Sequence, residues 1–135
     1  MRAISLWQPW ASAIALGHKS IETRSWRTKV RGPILIHAAK RMDREQREFA
    51  SVERALGRLP ERLPLGALVA RAVISDCYTT EYLLAAGKVG PIEKLYGDYG
   101  PERFGWILTD IEALPEPIPF KGGQGFFEVP DEVLG

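Results

Sequence analysis

Two hydrophobic periods alternate along the chain, and the switches between them mark the elements. Ala3 to Leu6 is a short apolar run that reads as a strand. Gln8-Pro9 then opens a helix, with Pro9 at the first helical position, where its missing N–H costs nothing. This helix runs to about Leu16, presents Trp10, Ala11 and Ile14, and ends at Gly17, a residue suited to a left-handed terminus. Ser20 to Trp26 reads as a strand, Thr28 to Gly32 as a basic turn, and Pro33 to Ala39 as a buried β-branched strand. Asp43 and Gln46 have the spacing of a capping box, followed by Phe49, Val52 and Leu56 at helical spacing and Gly57 as a stop. Arg44, Glu45, Arg47, Glu48, Glu53 and Arg54 then form the solvated face of that helix.

Beyond a proline-bounded loop at 59–64, period two returns. Leu68, Ala70, Ala72 and Ile74 share one parity of a long strand over Gly66 to Tyr78. Thr80 to Ala86 reads as a short helix ended by Gly87, and Lys88 to Arg103, rich in Gly, Tyr and Pro, as a loop. Phe104 to Leu114 is a further strand, Pro115 to Pro119 is extended, Gly122 to Gly125 turns, and Phe126 to Val129 closes the series. Strands and helices do not alternate regularly, which argues against a doubly wound sheet. The expected class is α+β: one domain over residues 1–135, a small mixed β-barrel of about six strands capped by two or three helices.

Composition changes this picture little; charge changes it more. Hydrophobic residues at 45% and charged residues at 26% are ordinary for a globular domain. No apolar run reaches the length of a membrane span, so a membrane location is not expected. The single Cys77 precludes an intrachain disulfide and fits a reducing cytoplasm. No His, Cys or acidic spacing suits a metal, and none points to a cofactor. The net charge of +1 hides an asymmetry: residues 1–58 carry +7 and residues 59–135 carry −6. Such polarity fits a basic surface that meets an anion or a nucleic acid; the competing reading is ordinary surface charge.

Gly17-His18-Lys19-Ser20-Ile21-Glu22-Thr23-Arg24 concentrates charges of both signs between a helix and a strand. On an extended strand Glu22, Arg24 and Trp26 share one face, Ile21 and Thr23 the other, and Lys19 sits at the turn, free to swing toward either. Arg24 offers a planar fork, Lys19 a compact charge, and Glu22 an acceptor that could orient Arg24 or read a base edge. The alternative is an ion pair that ties strands together, with Lys19 exposed. Aromatic and basic neighbours favour a site: Trp7, Gln8 and Trp10 precede the cluster, Trp26 and Arg27 end it, and Lys29, Arg31, His37 and Lys40 follow. Trp10 and Trp106 are expected in the core.

Ser5-Leu6-Trp7-Gln8-Pro9-Trp10 followed by Gly17-x-Lys19-x-x-Glu22-x-Arg24-x-Trp26 resembles the ASCH domain family, a branch of the PUA-like barrels. Gly66-Ala67-Leu68-Val69-Ala70, Gly105-Trp106-Ile107-Leu108 and the Pro117-Ile118-Pro119 to Gly125 ending extend the resemblance over nearly the whole chain. It implies a helix-capped barrel with a cleft beside the motif, where RNA or another nucleic acid binds. Some members are implied to be enzymes, a ribonuclease or an amidohydrolase acting on N4-acetylcytidine. The amidohydrolase pattern resembles G-x-K-x-x-T-x-R, with a Thr nucleophile activated by the Lys. Lys19 matches that base, but Glu22 stands where the Thr should be, and Thr23 is one position off.

The expected function is therefore binding of RNA, another nucleic acid or a nucleoside-like ligand by a monomer. The expected site comprises Lys19, Glu22, Arg24, Trp7, Gln8, Trp26, Arg27, His37 and Lys40. Lys19 is the catalytic group if the protein is a hydrolase. His37 also reads as a hydrogen-bonded structural residue. Lys121-Gly122-Gly123-Gln124-Gly125 reads as a turn that could also bring backbone N–H groups to a phosphate. Tyr96 to Pro101 is either a mobile flap whose tyrosines offer stacking faces or a packed turn. A weaker alternative is a protein partner that meets the acidic C-terminal half.

Overall fold

The computed structural model describes residues 1–135. Six strands form one mixed sheet: β1 (Arg2–Leu6), β2 (Ile21–Arg24), β3 (Gly32–Ala38), β4 (Ala67–Thr79), β5 (Phe104–Pro119) and β6 (Phe126–Glu128). The spatial order is β2-β5-β4-β3-β1-β6. β1 and β3 pair in parallel and every other pairing is antiparallel. The long β4–β5 ladder shifts register three times, after Leu68, Arg71 and Ile74. Each such irregularity bends a strand and raises its twist, so the sheet curls into a half-barrel. β5 runs on through Pro115, Pro117 and Pro119, residues the sequence placed in an extended stretch. β2 reaches only from Phe104 to Ile107 along β5, so those prolines owe it no ladder hydrogen bond.

Both faces of the sheet are covered. Ile34, Ile36 and Ala38 of β3 point to the larger core, which Ile4, Leu6, Ile14, Ile74, Trp106 and Leu108 complete. The opposite parity, with Leu35, joins Ala3, Leu68 and Val129 in a smaller core beneath the C-terminal segment. Trp106 is fully buried as expected, whereas Trp10 is only half-buried and stacks on Phe49.

The helices depart from expectation in number and facing. There are four α-helices: α1 (Trp10–Ala15), α2 (Arg44–Ala55), α3 (Thr80–Ala85) and α4 (Pro91–Leu95). A 3-10 turn over Asp131–Leu134 follows. α4 lies inside the segment expected to be a loop; it is a single turn, too short for hydrophobic periodicity to betray it. Gln46 accepts from the Asp43 backbone N–H, so the expected capping box is in place. The stripe Phe49-Val52-Leu56 does not face the core, however: Val52 and Leu56 are exposed, and α2 buries Ala50 and Glu53 instead. Glu53 can turn inward because three donors, two from Arg58 and one from Tyr96, meet it there.

The basic and acidic halves interleave in the sheet. β2 of the basic half pairs with β5 of the acidic half, and β3 pairs with β4. The charge asymmetry along the chain therefore does not map onto two separate lobes. No helix is long and apolar enough to cross a membrane.

Candidate functional site

The turn between α1 and β2 aims the charged cluster. Gly17 adopts the left-handed conformation with φ of 84°, which a side chain would strain. The His18 and Lys19 N–H groups both donate to the Ala13 carbonyl and wind the chain back over the end of α1. Lys19 consequently points inward. Its side chain is 1% exposed, so it is neither the free-swinging nor the solvent-facing lysine that the spacing suggested. Its Nζ donates to the Tyr96 carbonyl at 2.9 Å and stands 3.7 Å from Glu22 Oε1. Burial pushes the Lys19 ammonium below its ordinary 10.5, against the opposing pull of Glu22 and Glu93.

Glu22 is the hub. Its Oε2 accepts from Arg24 Nε at 2.8 Å, and Arg24 Nη2 continues to the Ser5 carbonyl at 3.0 Å. The Arg24 guanidinium also lies 5.7 Å from the centre of the Trp106 ring. Around this hub opens a cavity of about 430 Å³, within the range of small-ligand sites. Trp7, Trp10, Phe49 and Leu95 give it apolar and aromatic walls, and Lys19, Glu22, Arg24 and Asp98 its charges. Trp7 is 40% exposed and forms the rim.

Thr23 also lines this cavity, although strand alternation put it on the opposite face. β2 is covered on both sides, and the 97–98 segment folds over it: Thr23 Oγ1 accepts from the Asp98 N–H at 3.0 Å. Gly97 is pressed between residues here, because a Cβ would sit 2.7 Å from the Tyr99 ring and 3.3 Å from Thr23 Cγ2. The start of β2 is clamped in turn by α4, whose Glu93 carboxylate accepts from the N–H groups of Ser20 and Ile21.

The other expected site residues divide. Gln8 lies outside the cavity lining, buried as a structural pin: its amide bonds both the backbone N–H and the hydroxyl of Ser12, and the Pro64 carbonyl. Trp26 is half-exposed, with its ring edge-on to Trp106 at 4.6 Å, outside the cavity. Arg27 lies over the Phe104 ring at 4.9 Å and does not line the cavity. His37 and Lys40 line a second cavity on the far side of β1. There His37 Nε2 donates to the Phe120 carbonyl at 2.7 Å, and Nδ1 faces the Ser5 hydroxyl at 2.9 Å. The buried, doubly bonded ring matches the structural reading of that histidine.

Sequence reasoning missed Ser5, Phe49 and the network behind Tyr96. Tyr96 is fully buried rather than offered for stacking. Its hydroxyl donates to Glu53, which also takes two bonds from Arg58, at 2.7 and 2.9 Å. The Arg58 bonds hold the Glu53 carboxyl below its ordinary range, and burial together with Glu53 pushes the Tyr96 hydroxyl up to about 12. The Tyr99 phenol is pushed up as well, first by burial and then by Glu93 and Glu22. The clue to Tyr96 was the Tyr-Gly-Asp-Tyr run, whose glycine marks a close backbone approach.

Residues 4–115 match the family model for the ASCH domain. The chain belongs to the ASCH domain family. Its fold is similar to the crystal structure of ASCH from Zymomonas mobilis, with a TM-score of 0.60 and 19% identity over 98% of this chain and 89% of that one. Two crystal structures of single-residue mutants of the same Zymomonas mobilis protein match with TM-scores of 0.60 and 0.57, at 20% and 21% identity. These likenesses establish the α+β half-barrel of this ASCH domain. No curated protein matches the chain.

Proposed function

We propose that this ASCH domain binds nucleic acid, RNA foremost, or a nucleoside-like ligand, in the cavity around Lys19, Glu22 and Arg24. The observation that carries the reading is the Glu22–Arg24 pair opening into an aromatic-walled cavity. A planar base stacks on Trp7 or Trp10, and its edge meets the Glu22 carboxylate as acceptor and the Arg24 guanidinium as donor. Lys19 holds the Glu22 carboxylate in place from behind. The test is titration of single-stranded RNA at two salt concentrations against wild type, Trp7→Ala and the Lys19→Ala, Arg24→Ala double variant. Loss of affinity in both variants supports the site; wild-type affinity in both removes it.

A hydrolase is the second reading, favoured by the depressed Lys19 ammonium, which yields a neutral amine more readily than an exposed lysine. The nucleophile is the weak point. Glu22 stands where the amidohydrolase pattern, as the resemblance implies it, has its Thr, and Thr23 Oγ1 already accepts a backbone hydrogen bond. Turnover of labelled RNA or N4-acetylcytidine that disappears in Lys19→Ala supports this reading, and absence of turnover removes it.

A further inference from the structure

The two cavities flank β1 and share Ser5 in their walls. Ser5 serves both: its carbonyl accepts from Arg24 on one side, and its hydroxyl meets His37 on the other. Their charges differ. In the first cavity Lys19 and Arg24 both pair with Glu22, and Asp98, which pairs with Arg103, adds a second carboxylate to the wall. The second, of about 730 Å³, contains Lys40 and Lys121 and no acidic residue. Neither lysine forms an ion pair.

The glycine-rich loop supplies further donors. No backbone N–H from Lys121 to Gln124 donates to a protein acceptor, and these residues are exposed on the cavity wall. Successive unpaired N–H groups beside cations are the chemistry of an anion cradle. The loop is held against the buried imidazole: a Cβ on Gly122 would stand 2.7 Å from His37 Cε1 and 3.4 Å from Ser5 Oγ. Only a glycine passes that close, so His37 sets the height of the loop.

We infer that the second cavity is a phosphate subsite, and that the unit recognised is a nucleotide lying across Ser5. Its base occupies the Glu22–Arg24 cavity. Its phosphate occupies the cavity of Lys40, Lys121 and the Gly122–Gly123 backbone. The inference rests on the proposed function for the base and adds the division of labour. Lys19 and Arg24, the cations that first suggest themselves from the motif, are already engaged by Glu22, which leaves the phosphate to the unpaired Lys40 and Lys121.

The test uses the four ribonucleosides, their 5′- and 3′-monophosphates, inorganic phosphate and an eight-nucleotide single-stranded RNA. Each is titrated calorimetrically against wild type, Trp7→Ala and a Lys40→Ala, Lys121→Ala double variant, whose exposed substitutions leave the fold intact. The expected result is a monophosphate that binds at least about tenfold more tightly than its nucleoside, with that advantage gone in the double variant. Nucleoside affinity stays at the wild-type value in the double variant and falls in Trp7→Ala. A drop for the RNA in the double variant assigns the phosphate to a strand; an effect confined to the mononucleotides and inorganic phosphate assigns it to a free nucleotide. Nucleosides that bind with no gain from a phosphate, or a gain that survives the double variant, overturn the phosphate subsite and leave the base cavity standing. No binding by any nucleoside, nucleotide or RNA overturns both.

Discussion

Two buried carboxylates, Glu22 and Glu53, are linked through Lys19 and Tyr96, and they are finished differently. Glu53 is sealed: Arg58 gives it two hydrogen bonds, Tyr96 a third, and its side chain is 3% exposed. Glu22 takes one short bond from Arg24, keeps Lys19 at 3.7 Å, and opens into a cavity. Tyr96 joins them, with its hydroxyl on Glu53 and its carbonyl on Lys19. A carboxylate whose acceptor sites are filled by the protein is a fastener. One left with free lone pairs beside aromatic walls is a place for a ligand to complete. The difference lies in saturation, not in burial.

The comparison breaks most readily on the sealed side. Glu53→Ala orphans the Tyr96 hydroxyl and loosens the end of α2, with an expected cost of roughly 2–3 kcal/mol, read as a lower urea midpoint at unchanged m. A loss below about 0.5 kcal/mol would deny Glu53 the fastening role. On the open side, Trp7→Ala removes an exposed rim and leaves the urea midpoint near wild type. It weakens RNA binding about 5- to 150-fold, the range for losing one base stack. Unaltered affinity would place the base elsewhere.

The smallest effects are pH-dependent and of opposite location. Glu53 has a folded pKa below its ordinary 4.5, so the unfolded chain takes its proton first. The stability it contributes is present at neutral pH and is lost as pH falls below 4.5; Glu53→Gln flattens that acid loss. Lys19 also has a folded pKa below its ordinary 10.5, but as a base its charged form is the one penalised. The stability of wild type relative to Lys19→Met therefore rises as pH climbs toward 10.5. The tyrosines, common to both proteins, cancel in that difference. A difference in urea midpoint that falls or stays flat as pH climbs to 10.5 would contradict the burial of a chargeable Lys19.

The strands were legible because alternation and β-branching specify a pleated, buried surface directly. β1, β3, β4 and β6 fall within a residue or two of their expected bounds. The charged octad was legible as a cluster, since three charged side chains between apolar elements demand partners. Its geometry was not. Lys19 turns inward because of the winding at Gly17 and the distant Tyr96 carbonyl, and no local pattern encodes a carbonyl 77 residues away. Glu53 misled for the same reason: helical periodicity counts an acid as solvated, and only Arg58 and Tyr96 make it a core residue. Ser5 is legible as the start of the family motif but not as a site residue, because a lone serine on a strand carries no signal of its own; its importance comes from the two cavities on either side.

The most direct test of the open and sealed carboxylates is the affinity of single-stranded RNA for Glu22→Gln and Glu53→Gln, measured side by side at a temperature where both are folded by circular dichroism. Both substitutions keep the side-chain shape and remove the charge. At least about a tenfold loss of affinity is expected in Glu22→Gln, the cost of a charged hydrogen bond, and affinity within about threefold of wild type in Glu53→Gln. Wild-type affinity in Glu22→Gln, or an equal loss in both variants, would contradict that difference between the two carboxylates.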